Sequence, residues 1–322
     1  MTINIALYPW QAQQWQRFCE QQKQQRLAHA IIVSGVAGLG KASFANAMVA
    51  SVLCESAESD SACGKCHSCN LFFSGNHPDH TAIVPEQGSS SIKIEQIRSL
   101  KDKQELTPTV ANWKTVIINP ADKMTISAFN SLLKLLEEPQ NNTLIILVTA
   151  QSDRLPITII SRCQTVKLSS PEPQLTLEWL EQQQQIDSAT LALILPLSNG
   201  APLAALTMLQ NGLAEQIQSL NSDFESLLSG DANPIEMTKK WLQYDPLMIF
   251  HHLQHLIKHT LCCSQDELTN NNSKRYWYIY DCIISAIKLT SSSNNINKTL
   301  LIEQFMVAIM DKSLSSTLAV KS

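Results

Sequence analysis

The stretch GVAGLGKAS, Gly35 to Ser43, has the spacing of a loop that grips phosphate: Gly, four residues, then Gly-Lys. In such a loop Gly35, Gly38 and Gly40 let the backbone aim its N–H groups at an anion, and Lys41 adds a point charge. The pattern closes on Ser or Thr, whose hydroxyl holds magnesium, and here Ala42 stands in that place. Ser43 comes one residue late, and because a helix turns about 100° per residue its hydroxyl is expected to aim elsewhere. Hydrolysis also needs carboxylates at the end of the strand beside the loop, one for the metal and one to orient water. After Ile118 the chain carries Asn119 and Pro120 instead, and Asp122 follows farther on, with a side chain expected to point away. The loop therefore reads as a degenerate phosphate site, an inherited turn rather than a hydrolytic centre, although the retained Lys41 leaves weak nucleotide binding open.

A second constellation is LCESAESDSACGKCHSCN, which spaces Cys54, Cys63, Cys66 and Cys69 as C-x8-C-x2-C-x2-C. Four thiolates so placed can close tetrahedrally on zinc at sulfur distances of about 2.3 Å, leaving no position for water, so the expected role is structural. An iron–sulfur cluster is the rival, and His67 inside the loop reads as a solvated neighbour rather than a ligand. The whole chain has 9 cysteines, an odd count that argues against a disulfide framework and for reading the clustered ones as metal ligands.

Arg162, in PITIISRCQ, would by itself be a surface ion pair worth little to stability. His251, His255 and His259 recur at i, i+4 and i+8, a spacing open to metal, but no carboxylate partner is evident and they flank an apolar stripe, so a polar helix face is favoured. No nucleophile-elbow pattern accompanies the Ser, His and Asp residues.

The elements that would position these groups are legible in the hydrophobic periodicity. Short β-branched runs at 30–35, 80–85, 114–120, 143–149 and 164–169 alternate with helical patterns, the signature of a mostly parallel sheet flanked by helices. Between the third and fourth runs, Ile126, Phe129, Leu132, Leu133 and Leu136 recur at helical spacing until Pro139 stops them. After SSPEPQ the strand signals cease and helices separated by SNGAP, SGDANP and TSSSNN follow, with Phe250, Leu253, Ile257 and Leu261 marking one apolar stripe. The glutamine-rich stretches 11–25 and 182–185 read as polar helix faces.

At 322 residues and 44% hydrophobic content the chain can bury cores for two or three domains. No run of about 18 uninterrupted apolar residues and no basic segment leading into an apolar one is present, so a cytoplasmic protein without membrane contact is expected. The net charge of −4 offers no bulk attraction for nucleic acid, so any DNA contact is local or shared with partners.

Taken together, YPWQ, the loop GVAGLGKAS, the cysteine insertion, GNHPDH, LLKLLEEPQNNT and RLPITIISRCQ resemble the bacterial clamp-loader ATPases of the AAA+ class. HPD after the cysteines, Ala42, Asn119 and Pro120 place the resemblance with the subunits that do not act as motors. It implies an α/β AAA+ core with a parallel sheet over 1–168, zinc-bearing at 54–69, then a small helical lid over 169–208 and an all-α collar over 209–322. It implies that Arg162 is a finger acting in trans on a neighbour's ATP and that Cys54, Cys63, Cys66 and Cys69 bind structural zinc. It further implies that Gly35, Gly38, Gly40 and Lys41 bind nucleotide weakly or not at all, with no hydrolysis in cis. The implied partners are delta- and gamma/tau-type loader subunits in a hetero-pentamer and, through the complex, the sliding clamp and primer-template DNA. Two rivals stay open, an ATP-hydrolysing motor subunit of the loader and a zinc-dependent DNA-binding module.

Overall fold

The computed structural model describes residues 3–56, 61–104, 107–139, 142–183, 194–263, 270–291 and 297–310. The chain forms two units, one of residues 1–183 with 199–204 and the other of residues 184–198 with 205–322.

The first unit is built on a five-stranded parallel sheet, β1 (Ala30–Ser34), β2 (His80–Ile83), β3 (Lys114–Ile118), β4 (Thr143–Thr149) and β5 (Gln164–Lys167), in the order β2-β3-β4-β1-β5. Strands β1, β3 and β4 are buried from end to end, which is why their sequences run as nearly unbroken Val, Ile and Leu rather than alternating with polar residues. Alternate residues still face opposite layers. Ile31, Val33, Leu144, Ile146 and Val148 join one core with Phe18 of α1 (Ala12–Lys23), Phe44 and Met48 of α2 (Lys41–Leu53) and Phe72 of α3 (His67–Phe73). Ile32, Val116, Ile118, Ile145 and Leu147 join a second core with Ile97 and Leu100 of α4 (Ile94–Gln104), Phe129, Leu132 and Leu136 of α5 (Ile126–Glu137) and Ile159 of α6 (Ile157–Ile160). Helix α5 starts where the Thr125 side chain accepts from Ala128 N, 3.2 Å away, and stops just before Pro139. Helix α7 (Pro173–Gln183) brings Trp179 onto Tyr8 and Trp10, with ring centroids 5.9 and 5.2 Å away.

The chain next re-enters the first unit at 199–204, where α8 (Pro202–Gln210) begins. The second unit contains α9 (Leu213–Ser229), α10 (Pro234–Trp241), α11 (Pro246–Cys263), α12 (Asn270–Ser291) and α13 (Lys298–Met310). Its core holds Trp241, Phe250, Leu253, Ile257 and Phe305, so three of the four expected stripe residues are buried and Leu261 packs partly against them. Trp241 Nε1 donates to Asp223 Oδ2 at 3.2 Å and Lys240 Nζ to Asp223 Oδ1 at 2.7 Å, which satisfies a buried carboxylate. No helix among the described residues is long and apolar enough to cross a membrane.

Candidate functional site

The phosphate loop leads from the end of β1 into α2, so Lys41 opens the helix and its N–H groups face the place an anion would take. Two glycines are needed there for space as well as for their left-handed backbone. A Cβ on Gly35 would stand 2.3 Å from Leu168 O, and one on Gly38 would stand 2.5 Å from Ala204 Cβ and 2.6 Å from its backbone N. The returning segment thus forms an outer wall to the loop, pinned by Leu203 N donating to Gly38 O at 3.0 Å. From the opposite direction Trp10 Nε1 donates to Leu39 O at 3.1 Å, while Gln11 Nε2 donates to Leu39 O at 2.8 Å and to Gly40 O at 3.2 Å. Gly40 lies under the Tyr8 ring. These contacts account for YPWQ as the segment that buttresses the loop.

The loop's polar side chains turn inward. Lys41 is 9% exposed and its Nζ donates to Val36 O at 2.6 Å. Burial pushes the Lys41 ammonium below the usual lysine range, and the negative charge of Asp122 opposes the shift. Ser43 Oγ donates to Gly40 O at 2.8 Å. Asp122, expected from its place in the chain to point away, instead accepts a 2.6 Å hydrogen bond from Thr149 Oγ1 at the end of β4 and is the charge that acts on Lys41. The one-turn helix Ala121–Lys123 directly after β3 swings its carboxylate back over the sheet end, a reversal that a strand-based extrapolation misses. A cleft of about 750 Å³ lies beside the loop, lined by Gly35, Val36, Ala150, Asp153, Lys167 and Ser170 among others, and it reaches neither Gly40 nor Lys41.

Arg162 follows α6 directly and stands at the surface. Its Nη2 pairs with Glu137 Oε1 at 2.8 Å and its Nη1 donates to Thr158 O at 3.0 Å. Cys163 beside it packs on the second core, and burial raises its thiol to about 11, so it is neutral and serves as an apolar anchor.

The four cysteines are brought together as their spacing requires, with all four Sγ atoms within 4.8 Å of one another. The backbone is arranged for thiolates: Cys63 N, Cys66 N and Cys69 N each donate at 3.3 Å, to the sulfurs of Cys54, Cys63 and Cys66 respectively. Donation from the N–H groups of Lys65 and Cys66 lowers the Cys63 thiol to about 6, whereas burial raises Cys54 and Cys69. Four soft sulfurs converging with N–H support fit a tetrahedral metal such as zinc. Among the described residues this is the one group of His, Cys, Asp and Glu side chains gathered closely enough to hold an ion.

HPD, which served in the sequence only as a marker, carries a structural role that needs tertiary contacts to see. His77 Nε2 lies 2.8 Å from Ser68 Oγ, whose own proton goes to Leu53 O at 2.6 Å, and Asp79 N donates to His77 Nδ1 at 3.1 Å. A neutral His77 with its proton on Nε2 satisfies all three contacts, and burial, opposed by Asp79, lowers its basicity accordingly. Burial alone would raise the Asp79 carboxyl. Donors at Ala111 N, Val110 N and Thr109 N, 2.9, 2.7 and 2.7 Å away, outweigh it and hold Asp79 below the usual carboxylate range. His77 and Asp79 thus tie the cysteine insertion to the segment entering β3.

In the second unit, His251 is exposed and His255 half-buried; the side chain of His259 lies outside the described residues. The histidine that the i, i+4 reading passed over is His252, 2% exposed, with Nε2 2.6 Å from Asn221 Oδ1 and pushed by burial to about 4.

A family model described as DNA polymerase III, delta subunit, matches residues 10–172, which include the whole sheet, the loop, the cysteines and Arg162. The DNA polymerase III subunit delta' of Pseudomonas aeruginosa is 33% identical over 236 residues, 73% of this chain and 71% of that protein. The protein of the same name from Escherichia coli K12 is 30% identical over 203 residues, 63% of this chain and 61% of its own length. The DNA polymerase III subunit tau of Bacillus subtilis is 29% identical over 221 residues, 67% of this chain and 39% of that protein.

Proposed function

Because the chain belongs to the family of DNA polymerase III delta-prime subunits, we propose that it is the non-hydrolysing member of the clamp loader, assisting ATP-dependent loading of the sliding clamp onto primed DNA. Its partners are other loader subunits, of delta and gamma/tau type, in a hetero-pentamer, and through that complex the clamp and primer-template DNA. Within the chain, 1–168 serves as the AAA+ core, 169–208 as the lid and 209–322 as the collar through which the complex assembles. Arg162 is the finger that reaches the ATP of an adjacent subunit and stabilises charge developing on its γ-phosphate. Cys54, Cys63, Cys66 and Cys69 hold zinc, which stiffens the insertion and takes no part in the chemistry.

One asymmetry carries the reading. The polar groups that would serve a nucleotide in cis are buried and turned inward, Lys41 at 9% exposure to Val36 and Ser43 to Gly40, while the guanidinium of Arg162, steadied by Thr158 O and Glu137, stays 38% exposed at the surface. Ala42, Asn119 and Pro120 lack the hydroxyl and the carboxylates that hydrolysis uses at those positions, and the carboxylate that acts on Lys41, Asp122, accepts from Thr149 at 2.6 Å.

The test is magnesium-dependent ATP turnover, first by the chain alone, where none is expected. A reconstituted loader carrying Arg162→Ala is then expected to lose clamp- and DNA-stimulated turnover while still assembling. A finger is worth about 10³ to 10⁵ at its own site, and the loss in the whole complex is smaller because other sites continue. Turnover by the isolated chain that disappears with Lys41→Ala would make it a motor subunit instead. Salt-sensitive binding of the isolated chain to primed DNA, without assembly, would favour a DNA-binding module.

A further inference from the structure

We propose that Glu137 is the positioning residue for Arg162, fixing the direction in which its guanidinium is presented to the neighbouring nucleotide; this rests on the finger role given to Arg162 above. Glu137 occupies the last turn of α5, followed by Glu138, so two carboxylates sit at the negative end of a helix dipole, where a cation is the favoured residue. Arg162 supplies the compensating charge from a different element, with 2.8 Å between Nη2 and Oε1.

The second contact makes the pair directional. With Nη1 on Thr158 O at 3.0 Å and Nη2 on Glu137, the two terminal nitrogens are referred to two separate elements, and the plane of the guanidinium is set. Arginine has five N–H donors. With one hydrogen of each terminal nitrogen engaged, the others remain for phosphate oxygens. Both elements are held rigidly beneath, since Leu132 and Leu136 of α5, Ile159 of α6 and the neighbouring Cys163 share one core.

Stability does not account for the pair. The side chains are 38% and 49% exposed, and ion pairs of that exposure add little to a fold because water screens them. A long arginine side chain left unrestrained has considerable rotamer freedom to lose when it must meet a phosphate in one geometry. Removing part of that freedom in advance is the contribution assigned to Glu137, and the weakness of an exposed pair lets the guanidinium adjust once a phosphate competes for it.

The experiment compares reconstituted loaders carrying Glu137→Ala, Glu137→Gln, Glu137→Asp, Arg162→Ala and the double change Glu137→Ala with Arg162→Ala. Stimulated ATP turnover, its KM and kcat, and complex assembly are measured for each. Glu137→Ala is expected to lower the Arg162-dependent part of kcat about five- to tenfold, with KM and assembly unchanged and partial recovery in Glu137→Asp. Added to Arg162→Ala it is expected to do nothing more, because both changes act through one group. An unchanged kcat in Glu137→Ala beside a clear loss in Arg162→Ala overturns the role of Glu137 and leaves the finger standing. A further loss on top of Arg162→Ala does the same. Unchanged turnover in Arg162→Ala overturns both readings.

Discussion

The depressed basicity of His80 makes the first unit acid-sensitive in a defined window. Its ring stands edge-on to Phe72, with centroids 5.1 Å apart, and its Nδ1 lies 3.0 Å from Thr115 Oγ1. Burial, aided by the nearby His77, pushes it from 6.5 down to about 4. A histidine neutral in the folded chain and free to protonate in the unfolded one stabilises fully above pH 6.5, and that stability drains away as the pH falls to about 4. Over this interval, at about 1.4 kcal/mol per pH unit and proton, the loss reaches at most about 3.5 kcal/mol. Partial solvent access to the ring reduces it. Asp79, already below its ordinary 3.8, gives up its own contribution only at lower pH, so the two do not overlap. His252 in the second unit titrates in the same window, which is why the variant difference is the quantity to read. Urea unfolding of the wild-type chain and of His80→Gln at pH 7.5, 6.5, 5.5 and 4.5 provides the assay. The variant is expected to start less stable, having lost the Thr115 contact, and to show a flatter pH dependence, so that the two curves converge toward pH 4.5. Parallel curves would refute the argument, since His80 would then titrate alike folded and unfolded.

Two other outcomes follow from packing and coordination. With zinc held by the cysteines as proposed, a strong chelator is expected to expose the four thiols Cys54, Cys63, Cys66 and Cys69 to a thiol reagent and to abolish hydrogen-exchange protection across α3, while β1, β3 and β4 stay protected because their cores do not depend on the cysteines. Gly38→Ala forces a methyl group to within 2.6 Å of the Ala204 backbone in a left-handed conformation, and a loss of about 1 to 3 kcal/mol is expected in thermal or urea unfolding.

Much of the core could be read in advance because it is governed by short-range rules. Buried parallel strands announce themselves as apolar runs, and the observed strands fall inside the expected ones, with β2, β3 and β5 ending at Ile83, Ile118 and Lys167 where side chains begin to serve turns. Helix α5 was legible for the same reason, its periodicity being capped by Thr125 and stopped by Pro139. The cysteines could be grouped because C-x2-C spacing is local. What escaped were contacts that the chain makes at long range: Asp79 to Thr109, Asp122 to Thr149, and Leu203 to Gly38. Each joins residues whose proximity is decided by the stacking of whole elements. The burial of His252 likewise has no local signal, because its partner Asn221 lies 31 positions away on another helix.

The return of residues 199–204 to the phosphate loop has a practical corollary for anyone cutting the chain. A protein shortened to the last strand, or to the end of α7, would contain every sheet hydrogen bond and all four sulfurs, yet Gly38 would be stripped of its Leu203 donor and of the methyl group facing it. Such a fragment reports on an opened loop, and any affinity for phosphate measured on it would belong to the scissors rather than to the intact polypeptide.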